Sequence, residues 1–236
     1  HSPYVLEEFA MEETIVLARD VDGFLAQKVI TLPDNVKPKR YRQDFRIRFC
    51  EGLLSRRVLI VEGATEASAF PAVCRLLAEF EPETYSSLEA LGICVVDAGG
   101  ETDIPRIAQL FKNLGKRTFA LCDRQDDCSK NLIEGQVETL FMHDEKGFEN
   151  MVLKGATEES LKEFSNQLYW PPHLAKKYPN PIENIVPALQ EYFIWAKGSW
   201  GIADFLSQRK NVAEMPKWLQ DTALKLKEAC ASAPVI

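Results

Sequence analysis

The sequence predicts an α/β fold: a parallel sheet flanked by helices, with a smaller helical region after it. Three observations predict this. Short apolar runs at 58–61 (VLIV), 93–96 (ICVV) and 118–122 (TFALC) each lead directly into an acid, Glu62, Asp97 and Asp123. Between them, 65–80 and 104–114 have helical spacing, with Ile107, Leu110, Phe111 and Leu114 sharing one face of the second. Strand, helix, strand, helix, strand in that order is the pattern of a parallel sheet.

The elements follow in chain order. His1-Ser2-Pro3 opens a short helix, and Thr14–Ala18 and Lys28–Leu32 read as short strands joined by a turn at Gly23. The stretch 37–48 (KPKRYRQDFRIR) holds six basic residues against one acid, and Tyr41, Phe45, Phe49 and Leu53 follow at i, i+4 steps. That spacing makes one apolar helical face with a basic surround. Lys39, Arg40 and Arg42 then either track a phosphate backbone or are the solvated side of a connecting helix whose aromatics pack on the core. The run at 58–61 reads as a strand buried on both faces. Gly63 turns the chain, and a helix over 65–80 places Glu66 in its first turn, near Glu62. Asp97 is followed by Ala98-Gly99-Gly100. Residues 124–135 read as a polar crossover carrying Asp126 and Asp127, and 137–142 (VETLFM) as a fourth strand running into His143 and Glu145 through Glu149. Beyond 156, helical spacing at 158–169, 182–196, 202–209 and 217–231 is punctuated by Pro171, Pro172, Pro179, Pro181 and Pro216.

Three successive strands thus deliver Glu62, Asp97 and Asp123 to one edge. In open α/β sheets the ligand crevice lies outside the carboxyl ends of the strands. Carboxylates crowded there repel one another unless a cation sits among them. All-oxygen donors favour hard divalent ions, Mg²⁺ or Mn²⁺, with Ca²⁺ as a further candidate. Such a cluster suits two-metal phosphodiester hydrolysis, in which ions about 3.5–4 Å apart activate the attacking water and stabilise the leaving oxygen. Glu62 is the candidate bridge or general base, with Glu66, Asp97 and Asp123 completing the ligand set.

Composition narrows the alternatives. The chain has 236 residues, 46% hydrophobic and 27% charged, which suits one large domain or a domain with a smaller companion. No run of 18 apolar residues marks a membrane span, and the first residues lack the basic-then-apolar order of a signal peptide. The six cysteines form no CxxC pair and read as reduced core residues of a cytosolic protein. A net charge of −7 is unlike most nucleic-acid binders, though the acidic cluster contributes to it and bound metal would neutralise it. No GxxxxGK[ST] loop is present for ATP hydrolysis. None of the tyrosines at 4, 41, 85, 169, 178 and 192 has the context of a topoisomerase nucleophile.

VEGATE at 61–66, DAGG at 97–100 and CDRQ at 122–125 together resemble a Toprim domain, within which the strongest likeness is to the OLD-family nucleases, ABC-type ATPases with a carboxyl-terminal Toprim domain. The likeness covers roughly 50–150 well and the rest weakly. It implies a Toprim-like parallel sheet with a small helical domain and a short amino-terminal remnant of an ATPase domain, divided at 1–36, 37–155 and 156–236. HSP at 1–3 resembles the switch-histidine segment of such ATPases, so an ATPase domain is expected upstream. The likeness also implies a glutamate at the start of the helix after the fourth strand, matched by Glu149, and a lysine reaching the reacting phosphate, matched by Lys197 in KG…IA, with Lys210 as the alternative. Glu62, Asp123 and Lys197 become the candidate catalytic residues. The family's D-x-D motif is broken: Gln125 stands where the second acid belongs, leaving Asp126 or Asp127 to supply it. The implied function is metal-dependent nicking and degradation of DNA with little sequence specificity, in the bacterial cytoplasm and in phage defence. A UvrD-like helicase is an implied partner, and oligomerisation is expected through the ATPase domain. The alternatives are a non-catalytic binding module, which Gln125 favours, and nucleotide binding, which the acids oppose.

Overall fold

A computed structural model describes residues 3–6, 8–9, 13–19, 24–30, 46–196 and 201–232. Near the amino terminus, β1 (Ile15–Arg19) and β2 (Leu25–Val29) form an antiparallel pair. The second strand begins three residues before the predicted Lys28–Leu32, because the register sets Arg19 opposite Leu25 and Ile15 opposite Val29. Residues 31–45, which include most of the basic stretch, lie outside the described residues.

The main sheet consists of β3 (Arg57–Val61), β4 (Ile93–Asp97), β5 (Arg117–Cys122) and β6 (Thr139–Met142), in the order β4-β3-β5-β6 and parallel throughout. This is the α/β architecture that the alternation of apolar runs and helical spacing predicts. The central position of β3 explains its composition: Val58, Leu59, Ile60 and Val61 have no exposed surface, because helices cover both faces. Alternation then assigns sides. Leu59 and Val61, with Phe119 and Leu121 of β5, face the helix Ala64–Phe80 and the later helices, whose Phe164, Phe193, Phe205 and Leu219 join the same cluster. Val58, Ile60, Ala120 and Cys122 face the opposite way, onto Phe49 and Leu53 of the helix Arg46–Leu54 and Ile107 and Phe111 of the helix Ile104–Asn113. Phe49 and Phe111 pack at a ring separation of 5.0 Å; truncating either buried ring to alanine is expected to cost about 3–5 kcal/mol.

The stretch 124–135 is a helix where a polar crossover is predicted. It runs Asp127–Glu134, with the side chain of Asp126 accepting a 2.8 Å hydrogen bond from Ser129 N and so capping it. Only Ile133 is buried in it, which is why no apolar periodicity announces the helix. The later helices are Glu158–Gln167, Ile185–Trp195, Gly201–Ser207 and Lys217–Ala231, with a short Pro172–Lys177 that the sequence does not signal.

The last of these helices braces the sheet from one edge to the other. At the amino edge, Arg117 at the start of β5 donates from Nη2 to Ala229 O (2.8 Å) and from Nη1 to Ser232 O (3.0 Å). Arg57 at the start of β3 donates to Cys230 O (2.9 Å) and Leu91 O (2.6 Å). These guanidiniums meet the carbonyl-rich, negative end of a helix, where cations are favoured. At the other end of the helix, Trp218 packs edge-on against the buried His143 at 5.1 Å, close to the carboxyl edge of the sheet. Among the described residues no helix is long and apolar enough to cross a membrane.

Candidate metal centre

Because β3 and β5 are neighbours paired Val61 to Leu121, Glu62, one residue past that pair, and Asp123, two residues past it, meet at the carboxyl edge. Asp123 N donates to Glu62 Oε2 at 3.3 Å. Gln125 ties the two acids together: its Nε2 donates to Glu62 Oε2 (3.3 Å), Asp123 Oδ1 (3.0 Å) and Asp123 O (3.2 Å). The other oxygen of Asp123, Oδ2, accepts from Gly147 N at 2.7 Å. Gly147 has φ of 85°, a left-handed conformation that favours glycine, and it opens the helix Phe148–Gly155. A Cβ there would lie 3.1 Å from Glu149 Oε2, so Glu149 flanks the same loop.

A third acid enters from the other neighbour of β3. The loop after β4 is pinned to the end of β3 by Ala98 N to Val61 O (2.8 Å) and Gly100 N to Glu62 O (2.9 Å). Gly100, at φ of 143°, turns the chain so that Glu101 begins a short 3₁₀ turn, Glu101–Asp103. One carboxylate oxygen from each of Glu62, Glu101 and Asp123 then lies within 4.8 Å of the other two. Glu101 and Asp123 line an open cleft of about 380 Å³ together with Arg124, Gln125, Asp126 and Lys146.

Electrostatics mark Glu62 as the centre of the group. Burial, reinforced by the negative charge of Asp123 and less strongly by Glu66, raises its pKa to about 7. Glu66, in the first turn of its helix, is buried to 7% exposure and Glu149 to 6%. The donor set is carboxylate oxygen throughout, which fits a hard divalent cation.

The predicted residues take several positions. Glu62 and Asp123 meet, with Glu66 and Glu149 buried close by. Asp97 ends its strand half-buried and its Oδ1 accepts from Gly99 N at 2.8 Å, within its own turn. Asp126 caps a helix, and Asp127 is exposed in that helix's first turn. Lys197, Lys39, Arg40 and Arg42 lie outside the described residues. Of the competitors, Lys210 pairs with Glu163 at 2.7 Å and Glu145 pairs with Lys154. His143 is buried, and burial lowers its pKa below the usual histidine range. Sequence reasoning missed Glu101; the available signal was an acid directly after the glycine pair of the DAGG motif.

Comparison with known proteins bears on the same stretch. Residues 53–124 match the family described as Overcoming lysogenization defect protein-like, TOPRIM domain. Among solved structures, the C-terminal region of the Burkholderia pseudomallei OLD protein is similar at a TM-score of 0.53 and 16% identity, covering 75% of this chain and 99% of that one. The C-terminal region of the Xanthomonas campestris pv. campestris OLD protein is similar at 0.54 and 20% identity, covering 77% and 96%. At these identities the likeness carries the fold. No curated protein matches the chain.

Proposed function

Residues 53–124 match the OLD-like Toprim family, and from that likeness we propose that the chain is a divalent-metal-dependent DNA nuclease of little sequence specificity, the nuclease part of a longer ATPase-linked protein. The observation that carries the reading is the convergence of Glu62, Glu101 and Asp123 at the carboxyl edge of the sheet, with Glu62 titrating near neutrality. Glu62 and Asp123 would hold one Mg²⁺ or Mn²⁺ ion, and Glu62, Glu66 and Glu149 a second; Asp97 shapes the adjoining turn, and its place in the proposed ligand set rests on the strand order and the family likeness. When bound, such ions supply a water acidified toward neutrality and a counter-charge for the leaving oxygen.

The chain's own residues do the rest. Glu62, at the centre of the group, is the bridge between the ions or, in the alternative arrangement, the base that accepts the proton of an attacking water. Gln125 fixes the spacing of Glu62 and Asp123, and Gly147 N fixes the orientation of Asp123. Arg124 and Lys146 line the same cleft and supply positive charge for a phosphate backbone. Lys197, supported by the KG…IA spacing alone, is the proposed cation opposite the reacting phosphate. The wider setting, with a bacterial cytoplasm, phage defence and a UvrD-like helicase partner, follows from the family likeness and is part of the proposal.

The test is nicking of supercoiled plasmid by the purified chain with Mg²⁺, Mn²⁺, Ca²⁺ or EDTA, beside Glu62→Ala and Asp123→Ala. Metal-dependent nicking lost in both variants is the expected result. A folded chain that binds Mn²⁺ but cuts under no condition supports the second reading, a binding module, which the neutral Gln125 favours.

A further inference from the structure

We propose that Glu101 is a metal ligand of this centre and supplies the negative charge that the D-x-D motif lost at position 125. The inference rests on the metal-centre reading above and concerns which residues of this chain complete the site. Position 125 lies beside the two central acids but presents an amide, and Gln125 donates hydrogen bonds to both Glu62 Oε2 and Asp123 Oδ1. It therefore holds two ligands together and brings no charge of its own. With Gln125 neutral, a cation between Glu62 and Asp123 meets two carboxylates, and the affinity of oxygen sites for divalent ions depends on how many charged ligands they present.

Glu101 restores the third charge from the opposite side of β3. Three backbone features place it. Ala98 N and Gly100 N bond to Val61 O and Glu62 O, the φ of 143° at Gly100 redirects the chain, and Asp103 N closes the turn on Gly100 O at 3.2 Å. The other acids of the loop have different engagements. Asp97 accepts from Gly99 N, and Asp103 pairs with Arg106 at 3.1 Å. Glu101 is the acid of this loop with a carboxylate oxygen within 4.8 Å of one from each of Glu62 and Asp123. It also lines the cleft that Asp123 and Gln125 line, so an ion seated there stays open to substrate. Neither an acid after a glycine turn nor a neutral residue in the aspartate motif is informative alone. Their meeting across Glu62 is.

The experiment is calorimetric Mn²⁺ titration of the whole 236-residue chain and of Glu62→Gln, Glu101→Gln, Gln125→Asp and the double variant Glu101→Gln/Gln125→Asp, each checked by thermal unfolding. Glu101→Gln is expected to weaken Mn²⁺ binding about 10-fold or more, on the scale of lost support at metal sites. Because Glu101 is exposed, its melting temperature without metal should stay at the parent value. The double variant, with its charge moved to position 125, is expected to recover to within about 3-fold of the parent, on the same scale. Parent-like Mn²⁺ binding by Glu101→Gln, with binding lost in Glu62→Gln, overturns the role of Glu101 and leaves the centre standing. Weakened binding that Gln125→Asp does not repair overturns the exchange of charge between the two positions. A parent chain that binds no Mn²⁺ overturns both the inference and the metal centre.

Discussion

Both strands that flank β3 lead into an aspartate at the carboxyl edge, and the two aspartates work in opposite ways. Asp97, after β4, turns an oxygen back onto Gly99 N two residues on, so it stabilises the turn it sits in. Asp123, after β5, takes its donor from Gly147, 24 residues further along the chain, and presents its other oxygen to Gln125 beside Glu62. One carboxylate is committed to local backbone. The other is oriented from a distance and held close to a second acid, at an electrostatic cost that a bound cation would offset. A strand-end acid joins a site when its orientation is fixed by another part of the chain and it stands beside a second acid.

The strongest challenge to this contrast is a pair of conservative substitutions. Asp123→Asn is expected to lower Mn²⁺ affinity by about 100-fold, whereas Asp97→Asn, which keeps an oxygen for Gly99 N, should stay within about 3-fold. Calorimetry on both decides it, and equal losses would erase the distinction.

Next is a pH effect centred on Glu62. Its pKa is raised to about 7, so below that pH metal must displace a proton. Mn²⁺ affinity should climb about tenfold per pH unit as pH rises toward 7 and then level off, and Glu62→Gln should remove the slope. Without metal the linkage acts on stability in the same window. A carboxyl with a raised folded-state pKa contributes stability that is complete below its ordinary value of 4.5 and lost as pH rises through about 7. Metal-free melting temperature should therefore fall across that window in the parent and less in Glu62→Gln, as measured by calorimetric scans.

Gly147→Ala tests the distant donor itself. Forcing a side chain into its left-handed conformation costs about 1–2 kcal/mol, and the new Cβ would press on Glu149 Oε2 at 3.1 Å. A fall in melting temperature of roughly 2–8 °C is expected, along with weaker Mn²⁺ binding as Asp123 loses its orientation. The smallest effect belongs to Asp97→Ala, about 0.5–1.5 kcal/mol for one lost hydrogen bond, with metal binding little changed.

The contrast also explains what could be read in advance. Glu62 and Asp123 were legible because apolar runs define strand ends, and strand–helix–strand order implies a parallel sheet whose strands end on one edge. Glu101 was not, since its direction depends on the φ of Gly100 and on two backbone hydrogen bonds to β3, none of which leaves a periodic trace. The capping role of Asp126 was hidden for a related reason. An acid beside a motif resembles a ligand, while its role as helix cap depends on a helix with a single buried residue, Ile133. The shift of β2 has the same origin, because Leu25 and Lys28 are equally plausible strand starts until β1 sets the register.

The two arginines at the amino edge also govern timing. Arg57 and Arg117 bond to carbonyls of Cys230 and Ala229, 173 and 112 residues later in the chain. A ribosome adds about 5–20 residues per second, so roughly 10–35 seconds separate the synthesis of Arg57 from that of its partner. For that interval Arg117 has its ion pair with Glu138 and Arg57 its bond to Leu91 O, but both lack the helix carbonyls, and the helix that carries Trp218 to His143 is not yet in place. The acidic edge can be assembled early, but its support arrives late, so the nascent chain passes through a stage in which the sheet exists and the brace across it does not.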